Sequence, residues 1–332
     1  MSIVTEVPIA SADIEQLADW VECQALLSSS KQCSRASLAR ALFRTGTTDT
    51  VGQTDDADDS LVVGSGPNVS QQVADDAFSE IENRGKACGN AYPFEIDQGG
   101  IRLKQIDPAE SDYIFLLLLT KLGPTNGHDG TAVLFEYLCA HAACTYFGGT
   151  TNLAKVLRIG APRRPPLATL SAAVDEMCSQ LGEGGGCKSS KKMAHNVGDG
   201  QLDIVAWRKF LDDRVGKLIA FGQCAAGLSD WEDKLTELDS TSFAKKWLRE
   251  SFAADPIRFF FVPWRVSQKK WYDISCSAGI VFDRSRIVAC IERLDPELAK
   301  RRKEATEEMV KRALITKTSK GKKTNKSKRN AA

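Results

Sequence analysis

The chain has 332 residues, 42% of them hydrophobic and 26% charged, with a formal net charge of +1. This is the balance of a soluble globular protein with room for two domains or one elaborated domain, and no global field commits it to nucleic acid. The longest apolar run, Tyr113 to Leu119, falls far short of the roughly 20 residues a membrane-crossing helix needs, and the first residues lack the basic-then-apolar pattern of a signal peptide. Ten cysteines are scattered without a CxxC pair. That spacing argues against a disulfide framework or zinc site and fits a reducing cytoplasm.

Apolar residues at helical spacing predict a helix over 12–27 with Ser11 as its N-cap, then a short helix from Ser34 to Phe43. Two short helices before an extended segment are compatible with a winged-helix-like, DNA-binding unit, although a small helical bundle is the simpler reading. Residues 46–67, rich in Thr, Asp, Gly and Ser and carrying Asp55, Asp56, Asp58 and Asp59, read as a flexible acidic linker. A helix over 69–83 follows, then strands at 94–96 and 101–103 around the Gly99-Gly100 turn. Pro108 opens a helix that runs to Leu122.

A strong helix over 131–146 comes next, then a strand over 153–159. Pro165-Pro166 opens a helix to about Leu181, and Gly182 to Ser190 reads as a mobile loop. Strands are predicted at 202–207 and 217–224, helices at 229–238 and 242–252, and strands at 257–262 and 279–283. A helix over 285–315 leads into a disordered basic tail. These elements suggest a mainly helical accessory region over 1–128, a core over 129–295, and a C-terminal helix and tail over 296–332.

The most informative stretch is Gly198-Asp199-Gly200-Gln201-Leu202-Asp203-Ile204-Val205-Ala206-Trp207, followed by the strand that ends in Gln223. A carboxylate amid strand-forming apolar residues is costly to bury unless something pairs with it. With the preceding helix and the following strand, the order is α-β-β-β-α-β, with Asp203 on the middle strand and Gln223 on the next. That order resembles the PD-(D/E)xK, or restriction-endonuclease-like, nuclease superfamily over roughly residues 130–265. The resemblance implies an α/β core with a helical N-terminal extension. It also implies a cytoplasmic, metal-dependent DNA endonuclease in prokaryotic restriction or anti-phage defence, with a protein partner in a defence complex as a further expectation.

Carried onto this chain, the resemblance makes Asp203 the metal-binding aspartate, Gln223 the Glu/Gln of the (E/Q)xK triplet, and Glu136 the acidic residue of the first helix. Two carboxylates and an amide oxygen suit Mg²⁺, with Mn²⁺ able to substitute. The triplet here is Gln223-Cys224-Ala225, so alanine stands where the family has lysine. Lys217 lies six residues before Gln223 on the same strand, roughly 20 Å from it at about 3.3 Å per residue. Lys234, on the following helix, is the better replacement, and Lys191 or Lys192 are weaker ones.

Each of these residues has a plainer alternative. Asp203 can be an exposed hairpin residue, Gln223 a sheet-edge polar group, Glu136 a satisfied core carboxylate and Lys234 a surface lysine. The three histidines add little: His128 falls in a turn, His141 follows Glu136 by one turn, and His195 sits in a lysine-flanked loop. A Cys139–His141 nucleophile is disfavoured because residues two apart face different sides of a helix. The tail from Lys317 to Arg329 and the basic-aromatic run from Trp264 to Tyr272 suit nucleic-acid contact. The rival readings are a catalytically inactive nucleic-acid-binding module and an interaction subunit of a larger complex.

Overall fold

The computed structural model describes residues 12–49, 67–149, 152–188, 200–229 and 231–329, with side chains at all of these except 46–49, 67 and 316–329. Ser11, the 50–66 part of the expected linker, and Lys191, Lys192 and His195 lie outside that set. The chain divides into two compact units, Met1–Leu122 with Lys303–Ala332, and Gly123–Arg302. No helix among the described residues is long and apolar enough to cross a membrane.

In the first unit, α1 (Ile14–Leu27) buries Leu17, Ala18, Val21 and Ala25 at the spacing its sequence predicts. It is followed by β1 (Gln32–Ser34), α2 (Arg35–Asp49), α3 (Pro67–Cys88), and a hairpin of β2 (Phe94–Ile96) and β3 (Gly100–Leu103). The strands form an antiparallel sheet in the order β1-β3-β2, so this region is more than a helical bundle. The three residues of β1 are too few to show alternation in sequence, and only their pairing with β3 makes them a strand. α2 continues into residues expected to be linker. The helix expected from Pro108 is a separate turn over Pro108–Glu110, closed by the Asp107 carboxylate on the Ala109 N–H at 2.9 Å. Ser111 is extended, and α4 (Asp112–Leu122) starts after it.

A buried ionic cluster ties α1, α3 and α4 together. The Arg84 guanidinium, fully buried, donates to Asp19 at 2.8 Å, Glu22 at 3.0 Å, Glu80 at 2.9 Å and the Glu15 carbonyl at 2.9 Å. The second oxygen of Glu22 accepts the hydroxyls of Tyr92 and Tyr113 at 2.7 and 2.8 Å. Burial alone would make Arg84 easier to deprotonate, but Glu22 and its neighbours outweigh that and hold the guanidinium firmly charged.

The second unit runs α5 (Thr131–Tyr146), β4 (Ala154–Arg158), α6 (Leu170–Leu181), β5 (Ile204–Arg208), β6 (Leu218–Cys224), α7 (Trp231–Lys234), α8 (Ser240–Trp247) and β7 (Ile257–Phe261). It continues with α9 (Trp271–Ala278), β8 (Ile280–Phe282), α10 (Arg284–Ala289) and the start of α11 (Pro296–Arg329). Its five-stranded sheet has the order β4-β5-β6-β7-β8, antiparallel across the first two pairs and parallel across the last two. Val174, Met177, Leu181, Phe243 and Trp247 from α6 and α8 pack with Val205, Trp207, Ile219 and Phe221. The class is α/β, with helices and two sheets.

Several boundaries differ from the sequence reading. α6 starts after Thr169, whose hydroxyl caps the Ala172 N–H at 3.2 Å, and not at Pro165, where the next proline disfavours helical backbone. The 182–188 segment is a pinned turn where a mobile loop was expected. Gly184 and Gly186 carbonyls accept the N–H groups of Glu250 and Arg249 at 3.1 and 3.0 Å, which ends α8 at Trp247, short of Phe252. α7 is a single turn where a longer helix was expected, and α9 begins at Trp271, at the end of the basic-aromatic run. The helix expected over 285–315 is split, because Asp295 caps the Leu298 N–H at 2.9 Å and Pro296 restarts the helix. α11 continues through the expected disordered tail, since adding residues to an existing helix costs far less than starting one.

Candidate active site

Asp203 stands one residue before β5. Its carbonyl accepts the Ile159 and Gly160 N–H groups at 2.7 and 3.0 Å, and its own N–H donates to the Gly222 carbonyl at 3.0 Å. The backbone is therefore clamped between the exit of β4 and the end of β6. Leu202, Val205 and Trp207 all join one apolar cluster, so strict alternation slips between Leu202 and Val205, and Asp203 leaves that cluster. Its side chain is 7% exposed, and Oδ2 accepts the Cys224 N–H at 2.7 Å.

Glu136, in α5, is 8% exposed, and its Oε2 lies 2.6 Å from Arg158 Nε at the end of β4. A Cβ placed on Gly160 would sit 2.3 Å from Glu136 Oε2 and 3.0 Å from Asp203 Oδ1. The two carboxylate oxygens are thus no further apart than those two distances combined. Any side chain at position 160 would push between them.

Gln223 ends its strand 4% exposed, and its Nε2 donates to Glu237 Oε2 at 3.0 Å. That bond orients the amide and leaves Oε1 buried without a hydrogen-bond partner among the described residues. Lys234 is half-buried in α7. Glu136, Asp203, Gln223, Cys224, Lys234 and Glu237 line one cavity of about 280 Å³.

The oxygens lining the cavity, from the Glu136, Asp203 and Glu237 carboxylates and the Gln223 amide, are of the hard type a divalent cation takes. Among the described residues no three His, Cys, Asp or Glu side chains are grouped to hold a metal. The neighbouring thiols are not nucleophiles. Burial pushes both Cys139 and Cys224 up from the ordinary thiol range, which keeps them neutral.

The remaining sequence-nominated residues lie elsewhere. Ala225 is 1% exposed in an apolar cluster with Phe260, Val262 and Trp264, surroundings that would desolvate a lysine. Lys217 is 3% exposed at the other end of β6, bonded to the Leu181 carbonyl at 2.9 Å. His141 Nε2 is 3.4 Å from Asp295, and neither lines the cavity. Trp264 packs edge-to-face against Trp231 and Trp271 carries Arg286, so both are packing anchors, while Tyr272 is exposed.

Arg158, Gly160 and Glu237 were missed from sequence. Arg158 reads as an ordinary strand end, Gly160 as a turn glycine and Glu237 as a helix-surface carboxylate. No local signal distinguishes them, because each acquires its role from a partner distant in sequence. Comparison with protein-family models, curated proteins and solved structures found no match for this chain.

Proposed function

We propose that the second unit is a Mg²⁺-dependent nuclease that hydrolyses DNA phosphodiester bonds. The observation that carries this reading is the meeting of Glu136, Asp203, Gln223 and Lys234 around one cavity. The chain order α5-β4-β5-β6-α7/α8-β7 supports the PD-(D/E)xK resemblance, with α6 inserted between the first two strands. So does the change from antiparallel to parallel pairing after β6.

Asp203, Glu136 and the Gln223 amide oxygen would hold the ion, which when bound acidifies a water and neutralises phosphate charge. The Cys224 N–H fixes the Asp203 carboxylate, and Glu237 fixes the Gln223 amide. Lys234 lines the same cavity, where its ammonium would orient the attacking water and stabilise charge growing on the phosphate. It does so from a helix, in place of the strand position that Ala225 occupies. For the first unit, the order α1-β1-α2-α3 and the β2–β3 hairpin support the winged-helix-like reading, with DNA as its ligand.

Purified protein should nick supercoiled plasmid with Mg²⁺ or Mn²⁺ and stop when the ion is chelated. Asp203→Ala should abolish nicking with the melting temperature retained; undiminished cleavage would refute the assignment. A DNA shift without metal and without cleavage would favour the inactive binding module, and would locate DNA contact outside the cavity. Phage protection in cells, lost in Asp203→Ala, would test the defence setting that the resemblance implies.

A further inference from the structure

Each unmet donor on a buried arginine costs desolvation without return, a cost that Arg35 and Arg258 bear at Nε among the described residues and that an arginine avoids by engaging all three nitrogens. Arg84 in the first unit does so with Nε and both terminal nitrogens. Arg158 does not. Its side chain is 9% exposed, its Nη1 donates to the Pro162 carbonyl at 3.1 Å, and its Nη2 is buried without a hydrogen-bond partner among the described residues. Its Nε lies 2.6 Å from Glu136 Oε2. That oxygen is the one facing the space Gly160 leaves open beside Asp203 Oδ1.

Two carboxylates brought this close repel each other, strongly so away from water. A cation is needed there whether or not a metal is bound, and the guanidinium is placed to supply it. A divalent cation on the same oxygen would in turn repel the guanidinium. We propose that Arg158 is a positioning residue that holds the cation's place at Glu136 in the metal-free protein and yields that oxygen when the divalent ion binds. This rests on the metal-dependent reading above. Once displaced, the guanidinium has Nε and Nη2 available as a donor pair for a phosphate, a geometry arginine is suited to.

The test is calorimetric titration of the full chain with Mn²⁺ and no DNA, so that turnover plays no part. Arg158→Gln should bind Mn²⁺ at least fivefold more tightly than wild type, and the gain should vanish in a Glu136→Gln background. Equal or weaker binding by Arg158→Gln would overturn the proposal and leave Arg158 as a simple support for Glu136. Wild-type protein that does not bind Mn²⁺ would instead sink the metal-dependent reading, and this inference with it. Should Arg158→Gln fail to fold, the wild type decides. Its Arg158 Nε resonance, identified by its loss in Arg158→Lys, should move on Mg²⁺ addition and stay still in Asp203→Ala; no movement in wild type would overturn the proposal.

Discussion

The two units each bury an arginine among carboxylates, and they do it to opposite effect. Around Arg84, three carboxylates and a main-chain carbonyl engage all three guanidinium nitrogens, two tyrosine hydroxyls bond Glu22, and Lys121 lies 3.6 Å from Asp19. In the second unit, two nitrogens of Arg158 and the Gln223 amide oxygen have no hydrogen-bond partner among the described residues, and Glu136, the ion-pair partner of Arg158, lines a cavity with Asp203, Gln223 and Lys234. Buried charge by itself therefore does not mark a reactive site. Buried charge with unmatched polar atoms beside open space is the stronger candidate, because such an arrangement gains most from a ligand that completes it.

Breaking the Arg84 cluster should cost the most. Arg84→Met strands Asp19, Glu22 and Glu80 together and should lower stability by about 3–5 kcal/mol in urea unfolding; a loss below about 1 kcal/mol would mean the cluster is not what fastens α3 to α1. At the open site the effect should fall on rate. Lys234→Met should reduce nicking roughly hundredfold, equivalent to about 2.7 kcal/mol of barrier, with stability unchanged. Unaltered nicking would return Lys234 to the class of surface lysines.

Gly160→Ala sharpens the comparison because it alters no ligand. The added methyl should wedge between Glu136 and Asp203 and weaken Mn²⁺ binding about tenfold, or about 1.4 kcal/mol. Affinity equal to wild type would show that the two carboxylates do not share an ion. The smallest effect is a control on the fold of the second unit. Asp239 caps α8 through the Ser242 N–H at 2.6 Å, so Asp239→Ala should cost about 1 kcal/mol and leave Mn²⁺ affinity alone. The hydrogen bonds from Ser242 hold this carboxyl below its ordinary value of 3.8. A depressed acid stabilises above that value and loses the contribution as pH falls through its folded pKa, so variant and wild type should converge only below pH 3.8. A gap that closes at neutral pH would contradict the capping role.

Much of the local structure could be read in advance, and for definite reasons. The spacing of Leu17, Ala18, Val21 and Ala25 makes α1, and the apolar run from Phe259 to Val262 makes a buried strand. Glu136, Asp203, Gln223 and Lys234 stood out because an order of elements, more than any one motif, brought them into relation. The misjudged elements divide between distant pairing and local caps. β1 exists through its pairing with β3, α8 stops where the glycine turn at 184–186 captures residues 249 and 250, and Ser111 divides the turn at Pro108 from α4.

What the amino-acid order determined by itself is therefore most of the inventory: the longer helices and the apolar strands, and which polar side chains fall at their ends. The tertiary structure decided the matching. It joined Arg158 to Glu136, set Gly160 between two carboxylates, turned Gln223 by its bond to Glu237, and put Ala225 in the core while Lys234 reached the cavity. Matching is a property of pairs distant along the chain, and desolvation acts on a charge according to what surrounds it in space. No local pattern records which donors and acceptors will be left over, and those leftovers are what give this cavity its chemistry.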